Sequence, residues 1–404
     1  MSSGVAALPG TSGTPAGKAH RAGTHRAASP EATWARLVPL LPRLGITRVA
    51  DVTGLDDLGV PTAMAVRPAS HTVAVSQGKG ATLLLAKISA AMESTETWHA
   101  ERRVPAAVLT APASALSLGY DVTVLPDRHD TPLTTATPLS WIPAAGVITG
   151  RTDHVPRDYV HMGLAASPPP PRRIRAFTAT TNGLAAGNNR TEALVHGLYE
   201  LVERDAIVDL NRLPPEQRTY VDPASVTDPL CAEVMDRILG GGRTWLEIIH
   251  VPGRLGIPTF ACYVWSETLP VVIAGAGTHL DPAVALLRAL TEAAQSRLTV
   301  ITGTRDDIPD HVYAGGIDPV PCPVTPPSAP RIDLRSLPDT SGPSLDADLE
   351  AICLPLMRLC GEPLFVDLRD DRIGIDVVRV VAPGLRFDRR HHLHRPVSPA
   401  RKER

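Results

Sequence analysis

Residues 181–205 read T-N-G-L-A-A-G-N-N-R-T-E-A-L-V-H-G-L-Y-E-L-V-E-R-D, a glycine-punctuated turn that feeds a helix. At about 100° per residue, Glu192, His196, Glu200 and Glu203 share an arc of about 80°. Leu194, Leu198, Leu201 and Val202 occupy the other side. The helix is therefore expected to pack its aliphatic face inward and to turn three carboxylates and a histidine to one surface.

A solvated charged face interleaves Lys or Arg four residues after Glu, whereas here Glu192 is followed at that spacing by His196, and His196 by Glu200. Only Glu200 meets a cation, Arg204, at the edge of the stripe. Stacked like charges cost a helix roughly a few tenths of a kcal/mol per pair unless something cationic sits over them. A hard divalent cation with its phosphate ligand meets that need, so the stripe reads as a site.

The 404 residues suffice for one large domain or for two that share a sheet. Lys+Arg number 40 against 42 Asp+Glu, so the basic excess of a nucleic-acid binder is absent. Aromatic content of 4% leaves little for base stacking, and nucleic acid is not an expected partner. Cys231, Cys262, Cys322, Cys353 and Cys360 form no CxxC pair, which argues for free thiols rather than a disulfide framework or a zinc site. No apolar run reaches membrane-spanning length and no signal peptide is visible. No membrane association and a cytoplasmic location are expected.

Residues 1–25 are rich in Gly, Ala, Ser, Thr and Pro and read as a disordered leader. One domain is expected over 26–388, followed by a flexible basic tail over 389–404 whose His391, His392 and His394 are solvated. Ser29-Pro30-Glu31 caps a first helix. Short strands are expected at 49–52, 62–66 and 71–75, the last running straight into Ser76-Gln77-Gly78-Lys79-Gly80. A Walker A loop would need Ser or Thr where Gly80 stands and Gly where Val73 stands, so a P-loop is rejected and Lys79 is kept as a phosphate contact. On a helix over 83–101, Ser89, Glu93 and Glu96 again share a narrow face, an arc of about 60°.

Antiparallel strands are expected between 108 and 147, and Ser167 to Arg173 reads as a stiff connector. A helix over 228–239 and strands over 246–250, 259–265 and 271–274 follow. Gly275-Ala276-Gly277-Thr278 then reads as a turn leading to the Asp281-Pro282 cap of a helix that carries Glu292, Gln295 and Ser296. Proline-dense 319–343 reads as a mobile loop or lid. A last helix over 345–359 precedes strands at 364–366 and 377–381. Three helices that each present acids or amides beside a strand end or glycine turn point to one site between them. The class expected is α/β (mixed α+β), with mixed sheets, helices and a nucleotide site between helices. Its expected occupant is Mg²⁺ with a nucleoside triphosphate.

Three motifs in order carry a specific resemblance. They are S-Q-G-K-G-A with S-A-A-M-E-S-T-E, then N-G-L-A-A-G-N-N-R-T-E with H-G-L-Y-E-L-V-E-R-D-A, then A-L-T-E-A-A-Q-S-R-L with G-T-R-D-D. From about residue 24 to 385 the chain closely resembles YcaO proteins. The resemblance implies a YcaO-type fold, the cofactors ATP and Mg²⁺, and activation of a peptide backbone amide. A nucleophile adds to the amide carbonyl, whose oxygen is phosphorylated and leaves as phosphate. Motif matching gives the Mg²⁺ and nucleotide roles to Glu93 and Glu96 and to Glu200 and Glu203. Asn188, Glu192, Arg204 and Gln295 match further nucleotide contacts, and Arg26 and Thr33 are similar to a basic and a hydroxyl residue that reach phosphates. Ser89 and Lys79 join them from their faces, and His196 is a candidate catalytic residue or a structural histidine.

Azoline-forming members commonly end in Pro-x-Pro-x-Pro, whereas this chain carries Pro396, Pro399 and Arg401-Lys402-Glu403-Arg404. G-T-H-R before Ser29, D-V-T-G-L-D and E-T-W-H-A-E resemble the stand-alone branch associated with a TfuA-like partner and linked to thioamides. Thioamide formation is favoured over azoline formation, with a non-catalytic nucleotide-binding scaffold as the reading from another class. The partners implied are a precursor peptide or protein substrate and a TfuA-like or leader-binding protein; a homodimer is left open.

Overall fold

The computed structural model describes residues 16–126, 133–163, 176–240, 244–305 and 328–387. The expected tail 389–404 and the connector 167–173 lie outside the described residues, as do residues 1–15 of the expected leader. The described helices are α1 (Pro30–Leu37), α2 (Leu83–Arg102), α3 (Arg157–Val160), α4 (Arg190–Arg212), α5 (Pro229–Gly240), α6 (Pro282–Thr302) and α7 (Leu345–Cys360).

The three long helices begin at side-chain caps in extended backbone. Thr82 accepts from Leu85 N at 3.3 Å, Asn189 from Glu192 N at 2.9 Å, and Asp281 from Ala283 N at 2.9 Å. Gly303, at φ 55°, ends α6 in the left-handed region, and Pro214-Pro215 follow the end of α4.

Strands β1 (Arg48–Asp51), β2 (Thr62–Val66) and β3 (Val75–Lys79) form an antiparallel sheet in that order, covered by α2. A second sheet uses β4 (Leu109–Pro112), β5 (Pro138–Gly146), β6 (Thr152–Pro156), β7 (Leu184–Gly187), β13 (Leu364–Asp367) and β14 (Asp376–Val381). Its order is β4-β5-β13-β14-β7, with β6 also paired to β5, and α4 lies across β7 and β14. The third sheet has β8 (Thr219–Val221), β9 (Thr244–Val251), β10 (Thr259–Ser266), β11 (Ile273–Thr278) and β12 (Arg331–Ile332) in the order β11-β10-β9-β8-β12.

Strand β10 shows why this third sheet is central. Phe260, Cys262 and Val264 pack into the cluster with α5 and α6, while Ala261 and Tyr263 pack with Ala206, Ile207 and Leu210 of α4. Period-2 alternation is hidden because both faces are buried. On α4, Leu194, Leu198, Leu201 and Val202 pack against α7 and β14, as the wheel predicts. Each such burial contributes about 1.5–3 kcal/mol.

Four expectations change. The strand expected at 71–75 lies instead at Val75–Lys79, so Ser76 to Lys79 is strand rather than loop, with Thr62 opposite Lys79 and Met64 opposite Gln77. This strand lacks β-branched residues after Val75 because α2 covers one side; a Cβ on Gly78 would lie 2.1 Å from Ala90 N. Gly275 to Thr278 is likewise strand, since a Cβ on Gly277 would lie 2.2 Å from the Ala285 carbonyl oxygen of α6. Of the loop expected over 319–343, residues 319–327 lie outside the described residues and 328–343 are packed on the body rather than forming a lid. Residues 331–332 pair in parallel with β8, and Ala329 and Leu334 are buried. Residues 16–25, expected as disordered leader, are packed on the body through a Gly17–Ser344 bridge and a Lys18–Asp348 ion pair. Among the described residues, no helix is long and apolar enough to cross a membrane, and Cys231, Cys262, Cys353 and Cys360 are free.

Candidate active site

The same strand–helix construction occurs three times, β3 with α2, β7 with α4 and β11 with α6. Each helix turns an i, i+3 pair inward from about its middle: Glu93 and Glu96, Glu200 and Glu203, Glu292 and Gln295. Backbone N–H groups fix the acids. Ala186 N donates to Glu96 Oε1 at 2.7 Å, Gly183 N to Glu200 Oε2 at 3.1 Å, and Ala276 N to Glu292 Oε1 at 3.4 Å.

The three faces meet electrically. Glu93 is pushed up to about 7, first by burial and then by the Glu200 and Glu292 carboxylates, against Arg305 and Lys79. Glu203 is pushed up to about 7 by burial and by Glu292. Burial lifts Glu96 well above the usual carboxylate range and raises Glu200 as well. Burial acts on Glu292 too, but Lys79 and Arg204 outweigh it and hold its carboxyl below that range. The Lys79 ammonium is ion-paired with Glu292. Arg204 lies 3.6 Å from Glu200 and 3.3 Å from Glu203.

Expected residues on the N-terminal side form a second linked group. Asn188 Nδ2 donates to both Glu192 oxygens at 3.2 Å, and Thr33 Oγ1 donates to Asn188 Oδ1 at 3.0 Å. Ala27 N donates to Glu192 Oε2 at 2.8 Å, with Arg26 3.8 Å from Oε1. Glu192 therefore shares the helix face with Glu200 and Glu203, yet its oxygens are already engaged. His196 lies between the groups. Burial, then Arg26, Arg288 and Lys79, pushes its imidazole well below its ordinary value, so it is neutral at pH 7. Ser89 stands one turn before Glu93, and neither it nor the Gln295 side chain has a side-chain hydrogen bond among the described residues.

Arg288 was not singled out from sequence, although Arg288, Glu292 and Gln295 fall at i, i+4 and i+7 on α6. Its charge acts on His196, Glu203 and Glu292. Gln77, quoted within S-Q-G-K-G-A without a role, has an Oε1 that accepts from Thr299 of α6.

Mg²⁺ and a phosphate chain fit these residues. Hard carboxylate oxygens predominate, and they are buried close enough to hold each other's protons on. Glu203 Oε2, Arg204 Nε and Arg288 Nε are buried with no hydrogen-bond partner. A cation on the first and anionic oxygens on the others would satisfy them.

The chain matches the family model described as YcaO cyclodehydratase, ATP- and Mg²⁺-binding, over residues 77–386. It belongs to the YcaO family. The cofactors are accordingly ATP and Mg²⁺. An uncharacterized protein of Mycobacterium tuberculosis is 42% identical over 301 residues, covering 73% of this chain and 66% of that relative, just under two thirds of its length. An uncharacterized protein in the tfuA 3′ region of Rhizobium leguminosarum bv. trifolii is 37% identical over 310 residues, 71% of this chain and 70% of the relative. Among solved structures, YcaO from Methanopyrus kandleri bound with AMPPCP and Mg²⁺ superposes with TM-score 0.68 at 24% identity, covering 92% of this chain and 94% of that one. A heterocyclase in complex with substrate and cofactor superposes with TM-score 0.77 at 22% identity, covering 93% of this chain and 54% of that one. Both likenesses support the mixed α/β fold of a YcaO protein.

Proposed function

We propose that this YcaO protein activates a peptide backbone amide with Mg·ATP, and that its product is a thioamide. The observation that carries the activation step is the cluster of Glu93, Glu96, Glu200, Glu203 and Glu292 faced by Lys79, Arg204 and Arg288. Glu93 with Glu96 and Glu200 with Glu203 would hold Mg²⁺. Arg204 and Arg288 would face phosphate oxygens, with Lys79 released from Glu292 as anionic ligand arrives. Arg26, Thr33, Asn188 and Glu192 would bind the rest of the nucleotide from the α1 side, with Ser89 and Gln295 at its margins. Bound ATP would supply the phosphoryl group that converts an amide oxygen into a leaving group.

The chain's own work is positioning and charge neutralisation. Backbone amides of Gly183, Ala186 and Ala276 hold the carboxylates in place. Neutral His196 would be a poor proton carrier beside three neighbouring cations.

Thioamide formation is supported by the segments resembling the TfuA-associated branch and by a relative from a tfuA 3′ region. A TfuA-like protein would be the partner and a ribosomally made peptide or protein the substrate. The family's description as cyclodehydratases supports azoline formation as the second reading, in which a leader-binding protein would be the partner. The test combines the protein with Mg·ATP, a sulfide source, the TfuA-like partner and a candidate peptide, read by mass spectrometry. Exchange of oxygen for sulfur supports the proposal, loss of water supports the azoline reading, and tight nucleotide binding with no phosphate release under any combination overturns both.

A further inference from the structure

His25, His279 and Asp348 form a buried trio whose ligand-type atoms lie within 4.8 Å of one another. This is the arrangement of a cation site, and the chain itself fills it. The Lys18 ammonium lies 2.7 Å from Asp348 Oδ2 and 3.0 Å from His25 Nδ1, and donates to the Gly342 carbonyl oxygen at 2.8 Å. The Lys18 and Asp348 side chains are both 0% exposed. Burial first, then Lys18 itself, pushes His25 down to about 4, so its ring is neutral and Nδ1 accepts from the ammonium.

The lysine lies at the crossing of a strap. Residues on its N-terminal side pair with the start of α7: Gly17 bridges Ser344, Leu345 N donates to the Ala16 carbonyl oxygen at 2.9 Å, and Ala16 N donates to Asp346 Oδ2 at 2.6 Å. On the other side His20 and Arg26 exchange backbone hydrogen bonds at 3.1 and 2.9 Å, closing a hairpin around Gly23 at φ 70°. Its far end delivers Arg26 and Ala27 to Glu192. His25 stands edge-on to His279 at 4.7 Å, and His279 lies 4.6 Å from Tyr199, next in sequence to Glu200. Among the described residues, Arg26 is fixed by the hairpin's root and its contact with Glu192, and its guanidinium keeps no shorter carboxylate bond than 3.8 Å.

We infer that Lys18 is a positioning residue for the nucleotide: its ammonium serves as the resident cation of the His25–His279–Asp348 trio and so holds Arg26 at the phosphate-facing side of the site. This rests on the nucleotide role proposed for Arg26. Without the ammonium, Asp348 lacks its cation and His25 its donor, and the hairpin loses its side-chain tie to α7. Lys18 need not touch the nucleotide to act.

The experiment measures Mg·ATP binding by calorimetry in the full chain for the wild type, Lys18→Met, Arg26→Ala and the double variant. Lys18→Met is expected to weaken binding about tenfold, and to add little once Arg26 is already Ala, because residues acting through one another are non-additive. A purely structural role would weaken binding by the same factor in both backgrounds, and that result overturns the inference, as does unchanged affinity in Lys18→Met. Should Lys18→Met not fold, Asp348→Asn loosens the same anchor with little change in volume and is read by the same cycle. Failure of Arg26→Ala to alter binding in a wild type that binds Mg·ATP would instead overturn the role proposed for Arg26.

Discussion

Replacing Glu203 by Gln separates a binding acid from a structural one. Glu203 is 2% exposed; among the described residues its Oε2 has no hydrogen-bond partner, and its Oε1 has only Arg204 at 3.3 Å. Glu292 repels it, which together with burial lifts it to about 7. An amide keeps the shape and an acceptor for Arg204 while removing the repelled charge. The nucleotide-free variant should therefore melt no lower than the wild type. Unfolding entropy of ~2.1 cal/mol/K per residue gives this chain about 0.8 kcal/mol/K, so ~1 kcal/mol shifts Tm by ~1.2 °C. Mg·ATP at a hundred times its Kd stabilises by ~2.7 kcal/mol, a rise of about 3 °C for the wild type. Differential scanning fluorimetry with and without Mg·ATP should show that rise in the wild type and less than about 1 °C in Glu203→Gln. A fall of about 4 °C or more without nucleotide, with the Mg·ATP shift intact, would refute the assignment.

The same acids make stability pH-dependent. Glu93 and Glu203 have folded values of about 7 against the ordinary 4.5, so the folded state holds more protons in between. Their contribution is fully present below about pH 4.5 and is lost as pH rises through about 7, and Glu203→Gln should flatten that part of the urea-stability profile. Arg288→Ala should weaken Mg·ATP binding by about ten- to hundredfold in calorimetry, the loss of a charge-assisted contact. Gly78→Ala should destabilise by about 3 kcal/mol or more in urea unfolding, because its Cβ would meet the Ala90 backbone at 2.1 Å. Asp205→Ala should cost about 1.5–3 kcal/mol in urea unfolding, since it removes the buried carboxylate on which Arg254 and Arg386 both close while leaving two partly exposed arginines.

How far the chain can be read without its tertiary structure differs between helices and strands. Residues 190–212 and 282–302 announce themselves through cap, proline and period, all of which are local. Their acid pairs are legible for the same reason: i, i+3 spacing puts both carboxylates on one side whatever the helix packs against. The later parts of β3 and β11 look like loop and turn in the sequence because S-Q-G-K and G-A-G-T have no strand-forming side chains. Their strand character comes from close approach by α2 and α6 over glycine, which local patterns do not show.

By itself, the sequence determined which helices carry the acids, which residues share the acidic face of each, and a specific resemblance to ATP- and Mg²⁺-using proteins. Only the tertiary structure decided that Glu292 stands among the other pairs with Lys79 as its counter-ion, that Arg288 joins them, and that Glu192 is held apart by Asn188 and Ala27. It also turned residues 16–25 from an expected loose leader into a strap anchored at Lys18. The physical reason is the same throughout. Helix periodicity is a property of neighbours in the chain, whereas a buried charge is defined by whatever distant segment comes to neutralise it.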